Sequence, residues 1–243
     1  KIKNYQNLEI ILSELPKGSI LVGGFIRDLI LDRLSLYPDI DIVIPNNSLD
    51  IGKDIAEKFS GKFLILDQDR NIVRIIFRNF TVDIASQTHE LLAEDLKSRD
   101  FTINSVGFSF NNEKLIDPAH GICDINDSLL RSLRYKNLLD DPLRILRCFR
   151  FVSELNFHIE PRILEFIKLN KFRLKTVSPE RIQYELKRIV QGKEALKTVE
   201  SLNEIKIFDW IQSYENNHSN KLLHINFDNF LQDEIDQFFP IAY

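Results

Sequence analysis

The sequence predicts an α+β head followed by an all-helical segment, on three observations. A strand, a glycine turn and a helix follow one another directly over residues 20–33; three short alternating strands crowd residues 62–85; and from about residue 138 the apolar residues recur at helical spacing. The corresponding domains are residues 1–137 for the head, 138–200 for a helical neck and 201–243 for the start of a helical body.

Taking the elements in order, residues 1–15 form a helix with Leu8, Ile11, Leu12 and Leu15 on one stripe, closed by Pro16-Lys17-Gly18. Residues 20–22 read as the end of a buried strand. Gly23-Gly24 makes a turn that lets backbone approach a ligand, and the helix over residues 25–33 opens behind it. Backbone N–H groups and the positive end of a helix favour an anion there, so this stretch reads as a phosphate seat.

Asp39 and Asp41 follow in the strand Asp39-Ile40-Asp41-Ile42-Val43-Ile44. Residues two apart on a strand share a face, so the carboxylates project together and repel. A hard divalent cation such as Mg²⁺ removes that repulsion and takes oxygen ligands, with water and substrate phosphate completing its shell. A lone Asp-x-Asp at a solvated strand end is the alternative.

Ser48 is the expected cap of a helix over residues 49–59, ended by Ser60-Gly61. Strands over 62–67, 72–77 and 80–85 then give a helix-covered, mainly antiparallel sheet, with a tight turn at Arg78-Asn79. Asp83 lies on the last of these, on a strand able to sit beside Asp39 and Asp41. A third carboxylate is what a two-metal phosphoryl-transfer site requires; an edge acid facing water is the alternative. Residues 106–110 and 114–116 read as a hairpin around Asn111-Asn112.

Composition bounds the rest. With 243 residues, 44% hydrophobic and 28% charged, the chain is an ordinary globular protein and not a disordered one. No stretch approaches the length of a membrane span, and a cytoplasmic setting is expected. Cys123 and Cys148 lack metal-type spacing and are too few for a disulfide framework, so buried free thiols are expected. The absence of methionine suggests a piece of a longer chain.

The net charge of −4 is unevenly spread. Residues 131–197 hold 16 Lys+Arg against 8 Asp+Glu, whereas residues 198–243 hold 2 against 8. A basic helical part beside an acidic part suits an enzyme acting on RNA, and a solvated helical face gives the same charge pattern.

Gly23-Gly24-Phe25-Ile26-Arg27-Asp28 followed by Asp39-Ile40-Asp41 resembles motif A of the class II tRNA nucleotidyltransferase and bacterial poly(A) polymerase family, within the DNA polymerase β superfamily. Arg99-Asp100-Phe101-Thr102-Ile103-Asn104 resembles motif B, with Ser98 where the first of two arginines is usual. The resemblance implies that Gly23, Gly24 and Arg27 bind nucleotide, that Arg99 contacts the triphosphate, and that Asp100 and Asn104 lie near the sugar. Asp117-Pro118-Ala119-His120-Gly121 with Asp124 resembles motif C, a segment that in the family helps join head to neck; His120 is expected to be structural.

In the neck, which begins at Leu138, Pro142 is expected in the first helical turn behind Asp140 or Asp141; Leu143, Leu146, Phe149, Val152 and Leu155 keep one helical face, and Asp141, Arg144 and Arg147 take three-residue steps on an adjacent one. An acceptor and a donor so placed are able to read a base edge, and equally to stabilise the helix as a simple ion pair. Asp140-Asp141-Pro142-Leu143-Arg144 resembles motif D, usually Glu-Asp-x-x-Arg, whose Asp and Arg pair with incoming cytosine or adenine; Asp140 stands where Glu is usual. Residues 178–189 resemble motif E, in which Glu180 and Arg181 tie the neck helices together.

The resemblance spans residues 18–192. It implies a polymerase β-like head, a two-metal Mg²⁺ site with Asp39 and Asp41 as ligands and Asp83 as third catalytic carboxylate, and CTP, ATP and a tRNA 3′ end as partners. It further implies CMP or AMP transfer onto that end. The connection between Asp83 and Arg99 is short, whereas full CCA-adding members carry a longer flexible loop there; CC addition is therefore expected. A complete CCA-adding or A-adding enzyme, a poly(A) polymerase and, from another class, an inactive RNA-binding scaffold remain alternatives.

Overall fold

The computed structural model describes residues 8–209. The expectations for residues 1–7, for the asparagine-rich stretch 215–220 and for the phenylalanine-rich stretch 227–239 lie outside the described residues. The chain divides into two compact units that meet between Asp127 and Ser128.

The first unit opens with α1 (Leu8–Glu14), whose Leu8, Ile11 and Leu12 are buried together with Leu15 beyond its end, the stripe expected from their spacing. A seven-stranded sheet follows. Its strands are β1 (Ile20–Val22), β2 (Asp39–Ile44), β3 (Lys62–Asp67), β4 (Ile72–Ile76), β5 (Thr81–Ser86), β6 (Gly107–Ser109) and β7 (Lys114–Ile116), in the order β3-β4-β5-β2-β1-β6-β7. Every pairing is antiparallel except β2 with β5. That one parallel pair sits at the centre and places Asp41 directly opposite Asp83.

Alternation along β2 explains how the sheet serves both core and site. Ile40, Ile42 and Ile44 are buried on one face. On the other, Asp39 and Asp41 are followed by Val43, which joins Ile20, Val22 and Leu96 in a buried cluster. The face thus changes from carboxylate to hydrocarbon within one strand.

Three helices complete this unit: α2 (Gly24–Ile30), α3 (Ser48–Lys58) and α4 (Leu92–Lys97), with the short α5 (Gly121–Asn126) after β7. The cap expected at Ser48 is corrected. Asn47 holds the cap position in the left-handed conformation, and the Ser48 hydroxyl instead donates to the Asn71 carbonyl at 2.5 Å and accepts from Ser86 Oγ at 2.9 Å. Burial makes bonding α3 to the β4–β5 side of the sheet worth more than a local cap. Cys148 is buried as expected, but Cys123, on α5, is exposed.

Among the described residues, the second unit is helical apart from a two-residue parallel pairing of β8 (Leu129–Leu130) with β9 (His158–Ile159). That pairing ties Leu129 and Leu130, in a stretch that the sequence reading placed in the head, to His158 and Ile159, and the second unit begins at Ser128. Those helices are α6 (Tyr135–Asp140), α7 (Arg144–Leu155), α8 (Pro161–Asn170), α9 (Pro179–Val190) and α10 (Ala195–Glu204). The helix expected to carry Pro142 in its first turn opens two residues later, at Arg144, and α6 ends ahead of Asp141. Asp141 is extended at φ −136° and ψ 93°, because a following proline disfavours helical backbone and Pro142 has no N–H to donate. No helix among the described residues is long and apolar enough to cross a membrane.

Where α7 meets α9, Arg150 and Glu185 are 6% and 2% exposed and face each other at 3.4 Å, with Arg150 Nε and Glu185 Oε2 lacking hydrogen bonds. Burial pushes the Arg150 guanidinium down to about 10 and the Glu185 carboxyl up, and each partner's charge opposes the shift of the other. Glu185→Leu alone is expected to destabilise by about 3–5 kcal/mol, because it strands a buried cation, whereas Arg150→Met with Glu185→Leu restores most of that stability. Urea unfolding of both variants checks this; equal losses in the two would show that packing, and not charge, governs the contact.

Candidate active site

The head-unit site is built on the tight turn after β1. Gly23 adopts φ +75°, a conformation that disfavours any Cβ, and a Cβ there would lie 2.5 Å from Asp41 Oδ2 and 2.9 Å from Arg99 Nη1. The glycine is what allows a motif A carboxylate and the motif B guanidinium to converge on the same turn. Gly24 begins α2, and the Arg27 N–H donates to the Gly23 carbonyl at 3.2 Å.

Asp39, Asp41 and Asp83 share a sheet face. Asp39 pairs in register with Thr81, whose hydroxyl donates to Asp39 Oδ1 at 2.5 Å, and Asp41 pairs with Asp83. Arg74 stands opposite Asp83 on β4 and donates from Nε and Nη2 to both of its carboxylate oxygens, at 2.7 Å each. The Arg74 pKa is raised, first by that hydrogen bonding and then by the charges of Asp83, Asp39 and Asp41, against the opposing effect of burial. All three acids therefore act on one guanidinium.

Arg74 went unnoticed in the sequence, although a signal was there. Phe77 donates to the Phe80 carbonyl across the Arg78-Asn79 turn, and counting outward from that turn puts residue 74 opposite residue 83.

Arg27, Asp100 and Asn104 form a buried chain. Arg27 Nη1 donates to Asn104 Oδ1 at 2.8 Å, Asn104 Nδ2 donates to Asp100 Oδ1 at 2.9 Å, and Arg27 also grips both oxygens of Asp28. Only 6% of Arg27 is exposed, so its guanidinium serves the alignment of Asn104 with α2. Motif C supports motif B from below. Asp117 accepts from the Gly121 and Ile122 N–H groups, Asp124 accepts from the Thr102 hydroxyl, and a Cβ on Gly121 would collide with the Thr102 carbonyl. His120 is exposed and left-handed at φ 58°.

In the helical unit, Asp141 accepts from Arg181 Nη2 at 3.0 and 3.2 Å, so α9 is tied to the turn between α6 and α7. Arg144 Nη1 donates to the Asn137 carbonyl at 3.2 Å. Arg147 lies with its guanidinium carbon 5.9 Å from the Phe151 ring centre. Asp141 precedes α7 and does not share a continuous helix with the two arginines.

The donor set fits a hard cation. Among the described residues no group of three or more His, Cys, Asp or Glu forms a ready-made metal cage. Mg²⁺ does not need one, since one or two carboxylates plus substrate phosphates commonly hold it, and Asp39 and Asp41 provide such a pair.

A sequence family described as the poly A polymerase head domain matches residues 19–131, and one described as a probable RNA and SrmB-binding site of polymerase A matches residues 156–214. The chain is 38% identical over 180 residues to a CC-adding tRNA nucleotidyltransferase of Synechocystis sp., covering 74% of this chain and 43% of that protein. It is 35% identical over 184 residues to a CC-adding tRNA nucleotidyltransferase of Geobacter sulfurreducens, covering 75% and 42%. A solved structure of a CCA-adding enzyme with CTP superposes with a TM-score of 0.72 at 29% identity, covering 82% of this chain and 51% of that one. The chain spans less than half the length of those two curated relatives. On the five motifs, the sheet that carries them and these likenesses, the chain belongs to the class II tRNA nucleotidyltransferase and bacterial poly(A) polymerase family, in which nucleotidyl transfer is generally metal-dependent.

Proposed function

We propose that this chain is the catalytic portion of a template-independent tRNA nucleotidyltransferase that adds CMP from CTP to a tRNA 3′ end, in a cytoplasmic setting. The observation that carries the reading is the convergence of Asp41 and Arg99 on Gly23, with Asp83 in register beside Asp41. It supports a cation site and a triphosphate donor at one turn. In the reaction the RNA 3′-oxygen bonds to the α-phosphorus, the bond to the β-phosphate bridge breaks, pyrophosphate leaves and the hydroxyl proton passes to solvent. Two Mg²⁺ ions, when bound, supply a lowered pKa for the attacking hydroxyl and charge neutralisation on the triphosphate.

Each side chain then has a task. Asp39 and Asp41 hold the cations, with Asp83 as the third carboxylate of the site. Gly23 and Gly24 keep the turn open to phosphate, and Arg99 donates to the triphosphate. Asp100 and Asn104, aligned by Arg27, stand toward the sugar. In the neck Asp141 accepts from an exocyclic amine and Arg144 donates to a ring acceptor, with Arg147 flanking them. A base edge is thus read by protein in place of a template strand.

Incorporation of labelled CTP and ATP into tRNAs ending before, within and after CCA tests the activity; no incorporation by the full-length protein into any of them would leave the scaffold alternative. The base-reading role has a separate test. Asp141→Ala or Arg144→Ala is expected to reduce discrimination against UTP and GTP by the equivalent of about 1–3 kcal/mol. Thermal unfolding of both variants shows whether the fold is kept, and Asp141→Ala loses its contact with Arg181 in any case. Unchanged selectivity in two folded variants would return the pair to a helix-stabilising role.

A further inference from the structure

Beyond the proposed reaction, the arrangement around Asp83 is unusual for a metal-site carboxylate. Both of its oxygens are engaged by one guanidinium at 2.7 Å in a fork-on-fork pair, on neighbouring strands in direct register. Its side chain is 19% exposed and that of Arg74 35%, so the pair is partly shielded from water. Asp41 lies directly across from Asp83 on the other side, and Asp39 is held by the Thr81 hydroxyl. The row therefore holds three carboxylates, and both oxygens of Asp83 are committed to Arg74.

We propose that Arg74 is a positioning residue and the resident counter-cation of the site, which keeps Asp83 out of the first coordination of a divalent ion and leaves Asp39 and Asp41 to capture it. The proposal rests on the reading of Asp39 and Asp41 as the cation ligands. Two physical consequences follow. Without a divalent ion, Arg74 relieves the repulsion between Asp83 and Asp41, which sit opposite each other on adjacent strands. With one, Arg74 weakens its capture, because it neutralises a nearby carboxylate and places a positive charge next to the ion. A positive charge here suits a site in which the triphosphate brings part of the coordination, because the ion is then held firmly only together with nucleotide.

The test is Mn²⁺ binding to the full chain, followed by the paramagnetic signal of the free ion, without nucleotide or RNA. The wild type, Arg74→Gln, Arg74→Lys and the double variant Arg74→Gln with Asp83→Asn are compared. Arg74→Gln is expected to bind Mn²⁺ at least about fivefold more tightly, since Asp83 then faces the ion without its guanidinium. The double variant replaces a neutral pair by a neutral pair and should return to within about twofold of the wild type. Arg74→Lys, which keeps the charge, should stay near the wild type and guards against misfolding of the glutamine variant. Thermal unfolding gives a second readout: Arg74→Gln should lower the midpoint more in EDTA than in Mn²⁺, whereas loss of a merely structural contact would lower both equally.

Weaker binding in Arg74→Gln, or a double variant that binds several-fold more weakly than the wild type, would mean that Asp83 is a direct ligand oriented by Arg74, and would overturn the proposal. So would unchanged affinity throughout. If Mn²⁺ binding to the wild type survives Asp39→Asn and Asp41→Asn together, the cation-site reading itself fails and this proposal with it. If that binding is lost but Arg74→Gln does not tighten it, only the proposal about Arg74 fails.

Discussion

Asp41→Asn is expected to lower nucleotide incorporation by on the order of 10³ or more, with tRNA binding largely unchanged. The reason is geometric. Asp41 is the one carboxylate that meets both the Gly23 turn, where a Cβ would lie 2.5 Å from its Oδ2, and Asp83 across the parallel pair. Asparagine keeps the shape of the side chain and removes the charge, so a loss of activity reports charge and not packing. Asp39→Asn should behave alike. Its Oδ1 would still accept from the Thr81 hydroxyl, and the strand pairing would be intact.

Folding and function are expected to part company in these variants. Asp41 and Asp83 are like charges in register on neighbouring strands, with Arg74 on Asp83 and Arg99 at the Gly23 turn offsetting them. Asp41→Asn is therefore expected to shift the unfolding temperature in EDTA by no more than a few degrees. A variant with near-normal turnover in Mg²⁺ would show that the assigned ligands are wrong. A variant that lost activity together with several degrees of stability would show that the carboxylates matter to the fold itself.

The second large effect concerns the product. A tRNA lacking its 3′ CCA, incubated with CTP and ATP together, is expected to end at CC, and a tRNA already ending in CC is expected to take up no AMP. The connection from β5 to α4 consists of residues 87–91, and it is tied down. The Gln87 N–H donates to the Ile44 carbonyl at 2.8 Å, and the Thr88 N–H and hydroxyl both donate to Asp95 Oδ1, at 3.0 and 2.8 Å. Asp95 is itself buried on α4, so the anchor belongs to the rigid part of the head.

A connection of five anchored residues is a short lever for the switch from cytosine to adenine that a longer loop serves, so the product is expected to stop at CC. Efficient extension to CCA by the full-length protein would defeat it, and would require another segment to do the work of the missing loop.

Much of this protein was legible from local chemistry. The Gly23-Gly24 turn, the shared face of Asp39 and Asp41, the buried stripe of α1 and the β4–β5 hairpin all depend on residues within about ten positions of one another. Backbone sterics and the two-residue and 3.6-residue periods decide such features before distant contacts form. The family motifs extended that reading across residues 18–192, because a motif records in a few residues a geometry selected over the whole fold.

What the tertiary structure decided depends on competition between distant partners. Ser48 had a local cap available and gave its hydroxyl to Asn71 and Ser86 instead, since groups that are buried together must satisfy one another. Arg27, buried to 6% exposure, is joined to Asn104 seventy-seven residues on as well as to its neighbour Asp28. Asp141, just ahead of Pro142, was claimed by Arg181, forty residues on. Asp83 meets Arg74 through the local β4–β5 hairpin, but it faces the motif A carboxylates only because the single parallel pairing joins β2 to β5. That parallel neighbour is not visible in the strand itself, because strand order is settled by how the whole sheet buries its apolar faces and not by the residues that end up at the site.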